Sequence, residues 1–184
     1  MRKLTAAIII ASAFSTASFA MAENTVMVGG QSMFPTKDIV DNAVNSADHT
    51  TLVAAVKAAG LVDTLKGKGP FTVFAPTNAA FGKLPAGTVD TLLKPENKAT
   101  LTKVLTYHVV PGKYDFSSLQ QEIKKQNGKA TLATAAGGKL MFAMNGMHNI
   151  QVMDEKGGVA NISTYDVMQS NGVINVVDTV LMPK

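Results

Sequence analysis

An α+β fold is predicted for this chain, a single domain with its helices first and a small antiparallel sheet built mostly by the C-terminal half. Three observations predict it. Apolar residues recur at helical spacing through the first half, the period turns strand-like beyond Gly128, and the pairs Asn145-Gly146, Gly157-Gly158 and Asn171-Gly172 then punctuate the chain as hairpin turns.

Residues 1–22 stand apart from that domain. Met1-Arg2-Lys3 gives a positive start and Leu4 to Phe19 an apolar stretch, short of the roughly 20 residues that a spanning helix needs. Cleavage motifs end at Ala20 and Ala22, so residues 1–22 read as a secretory signal peptide cut preferably after Ala22, leaving no transmembrane segment. Its removal lowers the formal charge from +4 to +2 and leaves lysine as the only basic residue. Without arginine's bidentate fork, and with Lys124-Lys125 on a helical polar face, nucleic-acid binding is not expected. The absence of cysteine excludes disulfides, thiolate metal sites and thiol catalysis, so stability must come from the core.

Residues 23–35 read as a short flexible leader, and 36–184 as the domain. Thr36 is expected to cap a first helix carrying Ile39, Val40, Ala43 and Val44. A second helix begins near Asp48, buries Leu52, Val53 and Val56, and stops at Gly60, where Leu61 folds back on Val56; Val62 to Leu65 forms a third turn. Phe71 to Ala75 is a strand apolar on both faces, ended by Pro76. Thr77 or Asn78 then caps a helix that packs Ala79, Ala80 and Phe81 and closes at Pro85. From Pro95 a further helix places Leu101, Val104, Leu105 and His108 on one apolar face. After the turn at Pro111-Gly112 comes a polar helix around Ser118 to Gln126. The meander follows as Lys139 to Met144, Met147 to Met153, Val159 to Val167 and Val173 to Met182.

Three near-motifs fail on physical grounds. Gly30-Gln31-Ser32 lacks the second glycine and the preceding strand of a nucleophile elbow. Gly67-Lys68-Gly69 precedes a strand rather than following one, and Gly137-Gly138-Lys139 lacks the spacing and hydroxyl of a phosphate loop. None of His49, His108 and His148 has the partners of a zinc hydrolase. Met141, Met144, Met147 and His148 do have a composition suited to soft Cu(I), and a two-residue Asn145-Gly146 turn would set Met144 opposite Met147. Methionine is equally an ordinary core filler. A hydrolase reading would need paired carboxylates, for which Asp154 and Glu155 look like a solvated hairpin tip and Asp178 like a hydrogen-bonded structural acid.

Three segments resemble the fasciclin-like (FAS1) domain family, in its single-domain exported bacterial form. They are Phe71 to Phe81 (FTVFAPTNAAF), Tyr107-His108, and Asn171 to Pro183 (NGVINVVDTVLMP), and the likeness spans roughly Lys37 to Pro183. The resemblance implies a wedge of mostly antiparallel strands with N-terminal helices packed on it. It implies a non-enzymatic, extracytoplasmic module of cell adhesion, periplasmic or at the cell surface, that binds a surface or matrix protein or glycan and needs no cofactor. It also implies candidate contact residues: Tyr107 and His108, and Asp166 with Val167, where valine replaces the family's isoleucine. Asn175 stands where the family commonly has histidine. A periplasmic small-ligand or Cu(I)-binding role through the methionine cluster is the alternative.

Overall fold

The computed structural model describes residues 25–184, so the expected signal peptide lies outside the described residues. The first element corrects the expectation of a flexible leader. β1 (Val26–Val28) and β2 (Gln31–Met33) pair as a hairpin whose Val28 and Met33 are buried against the helices, because Gly29-Gly30 supplies a turn with both residues at positive φ. In α1 (Ile39–Ala43) the cap is Asp38, not Thr36: its side chain accepts from the Asp41 amide at 2.8 Å. Val44, expected on the packed face, is 46% exposed just past the helix end.

α2 (Thr50–Ala59) follows a single 3-10 turn and ends as expected, with Gly60 left-handed and the Leu61 amide bonded to the Val56 carbonyl. Its N-terminus is capped from a distance by Asn78, which accepts from the Thr51 amide and donates to the Ala47 carbonyl. Thr77 is therefore free to cap α4 (Asn78–Gly82), which buries Ala80 and Phe81 but leaves Ala79 exposed. Between these lie α3 (Val62–Leu65) and β3 (Phe71–Pro76). Two short elements were not expected, α5 (Thr88–Leu92) and, directly after α6 (Lys98–Tyr107), the strand β4 (Val109–Pro111). α7 (Phe116–Lys125) buries Leu119 and Ile123, packs Phe116 against Tyr165, and turns its lysines to solvent.

The remaining strands are β5 (Lys129–Ala133), β6 (Lys139–Met144), β7 (Ile150–Met153), β8 (Val159–Gln169) and β9 (Gly172–Val177). Seven strands share one sheet in the order β4-β3-β9-β8-β7-β6-β5, antiparallel throughout except that β3 and β9 run parallel. The sheet curls until its ends meet, where the Ala135 amide donates to the Val109 carbonyl at 2.8 Å.

Curling creates two apolar cores on opposite faces of β3 and β9. Val73, Ala75, Ile174 and Val176 face the helices α1 to α6. Phe74 and Val177 face inward, where Phe74 meets Phe142 at 5.2 Å between ring centroids and α7 closes the curl. Both faces of β3 are thus buried, as its uninterrupted apolar run predicts.

Candidate functional site

The helical period carries Tyr107 and His108 into the interior at the end of α6. Tyr107 has no exposed surface; its hydroxyl donates to the Lys139 carbonyl at 2.7 Å and accepts from the Glu155 amide at 3.1 Å. The phenol thereby joins the turn between β5 and β6 to the turn between β7 and β8, and burial pushes its pKa up. His108 is 2% exposed, with Nδ1 2.8 Å from the Val104 carbonyl and Nε2 2.9 Å from the Leu181 amide. An amide only donates, so Nε2 is the bare nitrogen and Nδ1 carries the proton. The ring is neutral, its pKa lowered to about 4 by burial against smaller opposing pulls from the Val104 carbonyl and then Asp154.

That tautomer sets a pH dependence. An unfolded ring protonates near 6.5 and the buried one near 4, so unfolding takes up a proton between those values. The contribution is complete above about pH 6.5 and shrinks as the pH falls toward 4, by about 3 kcal/mol. Denaturant unfolding at stepped pH is expected to show this slope, and His108→Gln to flatten it.

Asp154 completes this corner and corrects the expectation of a solvated hairpin tip. It is 3% exposed and accepts three backbone amides: Lys156 at 2.9 Å, Gly158 at 2.7 Å and Met182 at 2.9 Å. Asp178 is the structural acid expected, accepting from the Asn161 amide at 2.8 Å and from the Thr179 hydroxyl.

A second polar cluster surrounds Asp166, which sits at φ 58° in an irregular stretch of β8. Its carboxylate accepts from the Phe116 amide at 2.7 Å, at the start of α7, and its own amide donates to Asn175 at 3.1 Å. Asn175, fully buried, donates to the Tyr114 carbonyl in turn. Burial pushes the Asp166 carboxyl above its usual range. Val167 is 1% exposed and packs in the helical core.

The Fasciclin domain family model matches residues 47–183. The chain belongs to the fasciclin family. Protein sll1483 of Synechocystis sp. is 49% identical over 147 residues, 79% of this chain and 73% of that protein. Cell surface glycolipoprotein MPT83 of Mycobacterium tuberculosis is 34% identical over 167 residues, 88% of this chain and 68% of that one. Among solved structures, a FAS1 domain pair from the insect cell adhesion molecule Fasciclin I superposes with a TM-score of 0.70 at 18% identity. The match covers 81% of this chain and 52% of that pair, and shows the shared fold.

In this fasciclin domain the expected contact residues Tyr107, His108 and Val167 are interior, and Asp166 is half-buried with its carboxylate engaged. They form two separate clusters, each bracing backbone. Tyr107, His108 and Val167 present almost no side-chain surface, while Asp166 stays partly exposed with one carboxylate oxygen bonded to the Phe116 amide. The methionine geometry is also corrected. The link between β6 and β7 spans 145–149, not two residues, so Met144 pairs with Ile150 and Met141 with Met153, while Met147 is 82% exposed. Met144 and Met147 are therefore not cross-strand partners. Asp154 and Asn175 are the residues whose roles sequence reasoning missed, since Asp154 is buried through Met182, 28 residues on, and Asn175 reaches Tyr114, 61 residues back.

Proposed function

We propose that this fasciclin domain is an exported, non-enzymatic interaction module. It contacts a surface or matrix protein or glycan through the exposed tips of the turns 134–138 and 154–158. The observation that carries this reading is the Tyr107 hydroxyl, which holds both turns to one rigid corner. Around them Ala135, Lys156 and Val159 are exposed, giving a mixed apolar and basic tip. Pre-organised turns lose little entropy on docking. The polar residues of the corner, His108 and Asp154, have their acceptor atoms engaged by backbone amides, which supports binding over catalysis. The cell-surface relative and the apolar start of the sequence support export.

Proximity cross-linking on intact source cells tests this with Ala135→Glu/Lys156→Glu, and with Met147→Ser at the opposite end of the sheet. A specific partner captured by the wild type and by Met147→Ser, but not by the folded double variant, is the expected result. Loss with Met147→Ser alone moves the contact to the other end, and capture unchanged by the double variant overturns the assignment.

A further inference from the structure

Between α1, α2, α3, the end of α6 and the strands β3, β4 and β9 lies a chamber of about 130 Å³. Its walls are almost wholly apolar, with Ile39, Leu52, Val56, Val73 and Ile174 among them, and its rim reaches the surface at Lys57 and Thr64. Two wall residues are histidines, and His108 has both ring nitrogens paired. His49 is 3% exposed, its Nδ1 lies 2.8 Å from the Ser46 hydroxyl, and its Nε2, on the other side of the ring, has no hydrogen-bond partner among the described residues. The Ala75 carbonyl is close enough to favour a protonated ring but is out of hydrogen-bonding geometry. An unpaired buried nitrogen is costly, and natural folds rarely keep one without a use. Water suits the place poorly, since a buried water needs two to four polar partners and these walls are apolar.

We infer that this chamber binds a neutral, ring-sized apolar molecule carrying one hydroxyl group, held by the His49 Nε2. The size follows from the volume, since a dry apolar cavity of about 150 Å³ accepts benzene. The hydroxyl follows from the Ser46–His49 pair. If the Ser46 hydroxyl donates to Nδ1, Nε2 bears the proton and needs an acceptor; if Nδ1 donates to Ser46, Nε2 is bare and needs a donor. A hydroxyl group satisfies either. Neutrality follows from the apolar walls, which disfavour an ion. The site lies mainly in the helical core, and of the turns proposed for partner contact only Ala135 reaches its lining.

Phenol and benzene serve as probes of the full chain, titrated separately and followed by NMR of the isotope-labelled protein. Phenol is expected to shift the Ile39, Val56 and Ile174 methyl signals and the His49 ring signals saturably, with benzene binding about tenfold more weakly, the discrimination of one hydrogen bond. His49→Phe is expected to equalise the two probes, and Val56→Phe, which fills the chamber, to abolish both. If Val56→Phe does not fold, Ala43→Leu narrows the same chamber from the end of α1. No saturable shift, shifts remote from these residues, equal binding of benzene to the wild type, or a phenol preference that survives His49→Phe each overturns the inference.

Discussion

Gly172→Ala is expected to destabilise the protein by about 3 kcal/mol or more, at the upper end for overpacking by one methyl group. Gly172 opens β9 and lies opposite Phe71 in the parallel pair. A Cβ there would collide with the Phe71 carbonyl oxygen and stand 2.9 Å from its carbon, both backbone atoms that have no rotamer to retreat into. Relief requires β9 to move off β3, and every residue of β9 is buried, so the two cores lose contact together. Gly82→Ala is the matched control. Nothing lies within 4 Å of its added Cβ and its backbone is helical, so it is expected to be neutral or slightly stabilising. Urea unfolding midpoints compare the two, and a Gly172→Ala midpoint at the wild-type value would contradict the close approach of β3 to β9.

Asp154→Ala is expected to cost about 3–5 kcal/mol. Hydrogen bonds to a charged acceptor contribute about 1.5–3 kcal/mol each, and removing the carboxylate leaves three amides without their partner. They belong to Lys156 and Gly158 in the turn and to Met182 beyond β9, so the turn and the following segment loosen together. Asp154→Asn is expected to fall between, because its amide group faces one N–H with another N–H. Glu155→Ala loses a single 3.2 Å bond to the Lys139 amide and is expected to cost under about 1 kcal/mol. Faster hydrogen exchange at Lys156, Gly158 and Met182 in Asp154→Ala checks the mechanism; unchanged exchange there, with an unchanged midpoint, would refute it.

The sequence was most readable where one local signal decided the outcome. Phe71 to Ala75 reads as a strand buried on both sides because no polar residue but Thr72 interrupts it, and Thr72 is itself buried and bonded to the Gly112 carbonyl. Gly60 ends α2 because its left-handed backbone suits glycine. The spacing Leu101, Val104, Leu105, His108 placed the histidine inside, and all four are buried.

Where partners come from distant residues, local signals misled. Asp154 beside Gly157-Gly158 has the composition of an exposed turn, and its burial depends on Met182 reaching back to it. Asn145-Gly146 has the composition of a two-residue hairpin, yet pairing Met144 with Ile150 keeps Phe142 and Val152 facing inward together, and burial of that pair sets the register. The hairpin of β1 and β2 and the three-residue β4 are too short to carry a period. His49 left no signal, because its missing partner is a property of the packed interior.

The parallel pairing of β3 with β9 has a consequence for how the protein is made. Its two strands lie about a hundred residues apart in the chain, and the later one is central to the sheet. A polypeptide emerging N-terminus first, whether from a ribosome or through an export pore, can form its local helices early. It cannot build the face they rest on until residue 177 is free, and contacts of such long range form slowly. The sheet therefore lacks its central strand until nearly the whole chain has emerged. Under the proposed export, that delay keeps translocation from competing with folding.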